Sequence, residues 1–324
     1  MENEAIWGVG MDKIAIGKLM KSRRKSLDRS QFDVCNGICD VSSYSRIERG
    51  LVDSSADILI YLFERLGLST EILNNSVNEQ DDRIRQVIRE ASHENAHGDQ
   101  KHALSLLETI SEEYENFSQA NKQRYDTVDT MIAYEEGIIT NEERLTNMEK
   151  ALRMTVPNYD IDNLPPLLTN TESLILRYIA NAYAVLENYD IAIKVYYYLK
   201  SRENKKSDRY AASKNLVHIC YNLSKCLGQV GRYDECIEVA KEGMCCCEYV
   251  SNISMLPSCM YNCVWSLVLR NNDGDREEAK RLIDKISELN TPMTWNGDGL
   301  KSGIYDILNT YINHISSSSV SSIG

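Results

Sequence analysis

Gly37-Ile38-Cys39-Asp40-Val41-Ser42-Ser43-Tyr44-Ser45-Arg46-Ile47-Glu48-Arg49-Gly50 is the stretch that decides the reading of this chain. Asp40 is an N-cap residue type placed directly before a segment that runs to Arg49, and Gly50 is a stop signal. Just upstream, Ser30 is followed three residues later by Asp33, an acidic partner for a capping box, so a short helix is expected from Gln31 to Asn36, closed by Gly37. Before it, Ile14, Leu19 and Met20 form a loose apolar stripe among Lys18, Lys21, Arg23, Arg24 and Lys25. A basic helix followed by two short helices around a glycine turn is the layout of a helix-turn-helix.

Within the second short helix Tyr44 and Ile47 are three apart and face inward, which leaves Ser42, Ser43, Ser45 and Arg46 outward or sideways. Small hydroxyls let a helix seat deeply in the major groove, and arginine reaches guanine or phosphate. The same residues would also solvate an ordinary surface helix; the surrounding layout favours groove reading. The expected DNA-facing set is Gln31, Val41, Ser42, Ser43, Ser45 and Arg46, with Lys18 and Arg49.

The charge distribution fits. The chain carries −12 over 324 residues, yet between Asp12 and Gly50 nine basic residues outnumber five acidic ones, a local +4 that leaves −16 elsewhere. A basic head on an acidic body attracts DNA locally without a basic overall pI. The 16 glycines and 5 prolines are too few and too unevenly spaced for an all-β protein, so an all-helical chain is expected. No apolar run approaches the roughly 20 residues of a membrane span and no basic-then-apolar leader opens the sequence, so the expected location is the cytosol. The ten cysteines, scattered over helical segments, are expected to be buried thiols.

Residues 74–80 are polar and read as a linker. Beyond them a unit recurs. Tyr221-Asn222-Leu223, Leu227, Gly231-Arg232-Tyr233-Asp234-Glu235-Cys236 and Ala240 describe two helical stripes around a tight turn. A second copy runs through Ile179-Ala180, Tyr183, Asn188-Tyr189-Asp190-Ile191-Ala192 and Tyr196. Weaker copies centre on residues 98–103, 141–145 and 274–279. The small residue of each second helix marks the period: Ala103, Leu145, Ala192, Cys236 and Ala279, spaced 42, 47, 44 and 43 residues apart. The order is similar to a tetratricopeptide unit, stretched beyond its usual period of about 34. The expected organisation is an extension over 1–11, a helix-turn-helix domain over 12–73, the linker, five repeat units over 81–315 closed by a capping helix from Leu300 to Ile315, and a frayed tail over 316–324.

Residues 37–50 resemble the turn and recognition helix of the Xre/Cro-type helix-turn-helix, in the version carried by the peptide-pheromone-responsive RRNPP group, to which PlcR, PrgX and Rgg belong. Ser30-Gln31 also matches, and the resemblance implies that Gln31 touches the DNA backbone or a base edge. Glu64-Arg65-Leu66-Gly67-Leu68 with Glu71-Ile72-Leu73 is similar to the family's closing helices. Phe32 and Asp33 depart from the usual acidic pair, Cys35 from the usual alanine and Arg49 from the usual asparagine; these departures bear on the operator sequence. Five irregular repeats behind the head are also what the resemblance implies.

The first helices of stacked pairs line the concave side of such an array. The register there places Arg177, Tyr178 and Asn181 in the third unit, His218, Tyr221, Asn222 and Lys225 in the fourth, and Tyr261-Asn262 with Trp265 in the fifth. An asparagine amide clamps the N–H and C=O of an extended peptide whatever its sequence, and tyrosine or tryptophan beside it offers an apolar pocket with a polar tip. The same residues would serve equally as contacts between neighbouring repeats, but the repeated Tyr-Asn favours a peptide. The resemblance implies a short re-imported signalling peptide as ligand.

Other signals are weak. Cys245-Cys246-Cys247 on a helix point about 100° apart and cannot chelate one metal. His93-Glu94-Asn95-Ala96-His97 spells the zinc-hydrolase pattern, but Gly98 ends the helix at once and no third ligand is evident. No phosphate loop or nucleophile elbow occurs. The expectation is therefore not an enzyme, with no cofactor and no metal, but a homodimeric regulator that binds double-stranded operator DNA and a short peptide. The alternatives are a peptide-controlled interaction scaffold or phosphatase-like regulator of the Rap type and, remotely, a zinc hydrolase.

Overall fold

The computed structural model describes residues 13–52, 54–70, 73, 79–206, 208–252 and 254–288. The expected N-terminal extension, capping helix and tail lie outside them, as does most of the expected linker. Glu79 and Gln80 of that linker belong to a helix. Among the described residues the chain is all-helical, without strands. It divides into two compact units, one ending at Leu186 and one beginning at Glu187.

The first unit opens with α1 (Lys13–Ser26), α2 (Gln31–Cys35), α3 (Val41–Glu48) and α4 (Ala56–Leu66). Both expected N-caps form. The Ser30 hydroxyl accepts from Asp33 N while the Asp33 carboxylate accepts from Ser30 N, and Asp40 accepts from Ser43 N. Gly37 takes a left-handed φ of +76° at the turn, where a Cβ would also meet the Thr155 carbonyl oxygen at 2.0 Å. Tyr44 and Ile47 are buried as the sequence implies. The stripe on α1 needs correction: Ile14 and Leu19 are 45% and 38% exposed, and the buried pair is Ile16 with Met20, four apart and therefore on one face. Residues Leu59 to Phe63 of α4 are all buried, more than one helix face can supply, so both sides of α4 are covered.

The helix pairs follow. α5 (Glu79–Ala96) packs on α6 (Gln100–Ser111), α7 (Gln119–Glu135) on α8 (Asn141–Arg153), and α8 on α9 (Asn170–Val185); α5 also touches α7, and α7 touches α9. In the second unit α10 (Tyr189–Glu203), α11 (Arg209–Gln229), α12 (Tyr233–Tyr249), α13 (Leu256–Arg270) and α14 (Asp275–Glu288) pack each on the next, and α11 also meets α13. Contact between alternate helices is what stacked pairs require. The period markers Ala103, Ala192, Cys236 and Ala279 are fully buried near the starts of α6, α10, α12 and α14. In α8 the buried residue is Arg144 and not Leu145. Its guanidinium lies 3.8 Å from the centroid of the Tyr134 ring, a cation–π contact that admits a long basic residue where the other pairs keep a small one.

All ten cysteines are free thiols, eight of them buried. Close helix approach in the second unit relies on small residues: a Cβ on Gly243 would sit 3.0 Å from Cys220 Cβ and from Cys259 Sγ. No helix among the described residues is long and apolar enough to cross a membrane.

Candidate DNA and peptide interfaces

The candidate recognition face is built on α3. Val41 is 41% exposed and Arg46 and Arg49 are exposed, while Tyr44 and Ile47 anchor the opposite face. Lys18 on α1 is also exposed. Ser45 is half-buried, and its carbonyl accepts from Arg49 Nε at 3.1 Å. Ser42 and Ser43 are drawn into the helix cap: both hydroxyls donate to the Asp40 carboxylate, Ser43 Oγ at 2.7 Å. Those bonds, with the Ser43 backbone N–H, hold the Asp40 carboxyl well below the usual carboxylate range. The hydroxyls of the two serines are thus already engaged, and a DNA contact would require exchanging or sharing these bonds.

Gln31 is half-buried and donates its amide to Glu48 Oε2 at 2.8 Å. The same carboxylate accepts from Arg24 Nε at 2.6 Å and Nη2 at 3.0 Å. Burial pushes the Glu48 carboxyl up, but the bonds from Arg24 and Gln31 outweigh it and hold it below its ordinary value. The bond to Glu48 likewise raises the Arg24 guanidinium. Arg24, Gln31 and Glu48 thus tie α1, α2 and α3 together, and Arg24, counted among the basic surface in the sequence, is structural. Phe32, a sequence departure without an assigned role, is 52% exposed on α2.

The largest feature invisible in the sequence lies behind this face. Arg65 on α4 donates Nη1 to the carbonyls of Val34 (3.1 Å) and Asn36 (2.6 Å), which end α2. Its Nη2 donates to the Thr155 carbonyl (2.8 Å) and Glu172 Oε1 (2.7 Å), and its Nε to Glu172 Oε2 (3.3 Å). The two side chains are 3% and 0% exposed. Tyr61 OH donates to Gln123 Oε1 at 3.3 Å, Asn170 N donates to Glu64 Oε2 at 3.0 Å, and Leu167 joins the core of the helix-turn-helix. The head is docked on α7, α9 and the 154–169 segment. The signal available in the sequence was the all-round apolar character of α4, which announces a second cover.

The peptide candidates separate on inspection. In the first unit Arg177, Tyr178 and Asn181 on α9 are half-buried, with the Arg177 guanidinium 5.5 Å from the Tyr178 ring centroid. In the second unit His218, Tyr221 and Asn222 on α11 and Trp265 on α13 are half-buried, and Lys225 is exposed. Asn222 Nδ2 donates to its own helix at the His218 carbonyl, 3.0 Å away. Trp265 lies over Gly228 of α11, where a Cβ would stand 2.8 Å from its ring. Asn262 differs: it is 3% exposed, and its Nδ2 donates to the Tyr221 carbonyl (3.0 Å) and Ser224 Oγ (2.9 Å). This amide is occupied in joining α13 to α11, so the expected clamp role does not suit it.

Near the start of the repeats, His93 and His97 stack with centroids 4.1 Å apart, and His97 Nδ1 is bonded to the His93 carbonyl at 2.8 Å. The residues that bring three ligand atoms within 4.8 Å of one another are instead Glu94, Asp99 and His102. Asp99 already caps α6 through His102 N. This is not the His-Glu-x-x-His arrangement that the spelling suggested.

No protein-family model and no curated protein matches the chain. Solved structures do. Bacillus thuringiensis PlcR in complex with the peptide PapR7 and DNA aligns at a TM-score of 0.56 and 18% identity, over 94% of this chain and 100% of that one. The apo competence regulator ComR from Streptococcus vestibularis aligns at 0.51 and 17%, over 92% and 99%. PlcR in its apo form aligns at 0.50 and 16%, over 89% and 98%. The chain therefore has the all-helical fold of the PlcR and ComR regulators, a helix-turn-helix followed by tetratricopeptide-like helix pairs, as the resemblance in its sequence implied.

Proposed function

We propose that this protein is a DNA-binding transcription regulator, acting as a homodimer in the cytosol, whose repeat region over 81–315 binds a short peptide and so changes the DNA binding of its head over 12–73. The observation that carries the reading is the helix-turn-helix itself. Its α3 turns an exposed edge of Val41, Arg46 and Arg49 outward from a buried Tyr44–Ile47 face, and the chain shares the fold of a protein solved with peptide and DNA. Arg46 reads a base edge or phosphate, Val41 offers an apolar contact to a thymine methyl, and Lys18 and Arg49 meet phosphates. Dimerisation follows from the small number of bases one recognition helix reads. In the second unit the peptide candidates are half-buried Asn222 and Trp265 with exposed Lys225, and in the first unit they are half-buried Arg177, Tyr178 and Asn181 of α9.

Selection of duplexes from a random-sequence DNA library by the purified protein, with binding then measured by fluorescence anisotropy, tests this. Arg46→Ala is expected to weaken the selected duplex by about 1–3 kcal/mol, roughly 5- to 150-fold, with the melting temperature unchanged because the side chain is exposed. Synthetic peptides covering the C-termini of short reading frames beside the gene, titrated against Trp265 emission, test the other half; Asn222→Ala should weaken the one that binds and leave DNA affinity alone. A protein that enriches no duplex, with or without those peptides, rules the regulator reading out.

A further inference from the structure

We propose that Arg65 is a positioning residue that couples α9 to the turn of the helix-turn-helix, so that a ligand acting on α9 is felt at the recognition helix. This rests on the reading that the head binds DNA and that α9 carries Arg177, Tyr178 and Asn181 as part of the peptide set. The geometry is specific. One carboxylate, that of Glu172, does two tasks: its Oε2 accepts from Thr169 N at 2.6 Å, closing the capping box of α9, and both its oxygens grip Arg65. The N-terminus of α9 is therefore fastened to the guanidinium. The other end of the guanidinium holds the Val34 carbonyl in α2 and that of its C-cap Asn36, directly before Gly37. Four residues on from Asn36, Asp40 caps α3.

A helix moves largely as a body, and Arg177 to Asn181 lie five to nine residues from Glu172, about 7–14 Å along the axis. A ligand that turns or draws α9 thus acts on Glu172 directly. Because the pair is buried, a partly separated arrangement leaves charges without partners, and the junction favours discrete docked and undocked states over a continuous slide. The donors of Arg65 reach α2, the 154–169 segment and α9 together, so displacement at α9 arrives at the turn that orients α3.

The test uses reciprocity: if α9 biases the head, DNA on the head must bias α9. Hydrogen–deuterium exchange is followed on the full-length protein with and without its selected duplex, so no peptide is needed. In the wild type, the duplex is expected to slow exchange over α3 and to change exchange over 169–176 severalfold. In the double variant Arg65→Met/Glu172→Leu, which replaces the pair with apolar groups of similar size, protection of α3 by the duplex should remain and the response at 169–176 should disappear. Should that variant fail to melt cooperatively, Glu172→Gln, which keeps the shape and the cap but removes the charge, should at least halve the response. The proposal is overturned if α3 is protected while 169–176 does not respond in the wild type, or if the response survives in these variants. If no duplex protects α3 in the wild type, DNA binding itself fails and the coupling falls with it; the two failures are told apart at α3.

Discussion

The head and the second unit are both helical and closely packed, but they are held by different means. Around the head the buried contacts that set orientation are ionic: Arg24 with Glu48 and Gln31 across three helices, and Arg65 with Glu172 across the junction to α9. In the second unit the helices meet through apolar cores, with Cys220, Cys236, Cys259 and Cys263 buried along with Leu216, Leu267 and Ile283, and with Gly228 and Gly243 at close approaches. Interhelical ion pairs there, such as Lys200 with Glu242, are only half-buried. A buried ion pair adds little net stability over a well-packed apolar substitute, yet breaking one side of it is costly, because the remaining charge stays desolvated. Small apolar contacts carry no such threshold; their loss scales with the volume removed. The first arrangement favours discrete geometries, and the second permits gradual adjustment.

The sharpest way to break this comparison is Glu172→Ala. It strands the Arg65 charge and should destabilise the first unit by about 3–5 kcal/mol in urea unfolding. Part of that should be recovered in Arg65→Met/Glu172→Leu, which removes both charges but leaves the Val34, Asn36 and Thr155 carbonyls and Thr169 N without these partners. A double variant as unstable as the single one would show that the pair supplies net stability and not only orientation.

Next come the glycines. Gly37→Ala meets a left-handed backbone, worth about 1–2 kcal/mol alone, and the fixed Thr155 carbonyl besides. Gly228→Ala meets the Trp265 ring at 2.8 Å and, at ordinary contact distance, Ser266 Oγ at 3.5 Å, on an ordinary helical backbone. It should cost less and register mainly as a shift in Trp265 emission. Equal losses of stability at the two sites would erase the distinction between a fixed and an adjustable region.

The acid response is a smaller effect with a definite sign. Glu48 is held below its ordinary value in the fold, so its stabilisation is complete above the unfolded carboxyl pKa of about 4.3 and is lost as pH falls through the lower folded value. Stability of the wild type measured from pH 7 down to 3 should therefore fall more steeply at the acid end than that of Glu48→Gln. The thiols of the second unit give the smallest effect. Burial pushes Cys226 and Cys263 up to about 12 and Cys246 to about 11, so a disulfide reagent at pH 8 should label exposed Cys245 rapidly and these three only on unfolding. Rapid native labelling of Cys246 would mean that the second unit opens locally far more readily than its packing implies.

Local sequence carried a good deal of this. Ser30 with Asp33, Asp40, Gly37 and Gly50 placed α2 and α3 within a residue of their ends, because caps and left-handed stops depend on neighbours a few positions away. The repeat period located the second helix of each pair for the same reason. It slipped by one residue in α8, where Arg144 takes the buried position by stacking on Tyr134, a partner that the period does not reveal. Tyr221-Asn222 and Tyr261-Asn262 look alike in sequence, yet Asn262 is buried between helices and Asn222 bonds within its own.

By itself, then, the sequence determined the boundaries of α2 and α3, the helix-turn-helix and the repeated helix pairs, all of which follow from interactions within about four residues or from a fixed repeat. Tertiary structure alone decided that Arg24 braces the head, that Gln31 is already bonded to Glu48, and that Arg65 and Glu172, 107 positions apart, meet at the junction. Which distant carboxylate a buried guanidinium finds depends on how whole helices dock, and no local pattern encodes that choice.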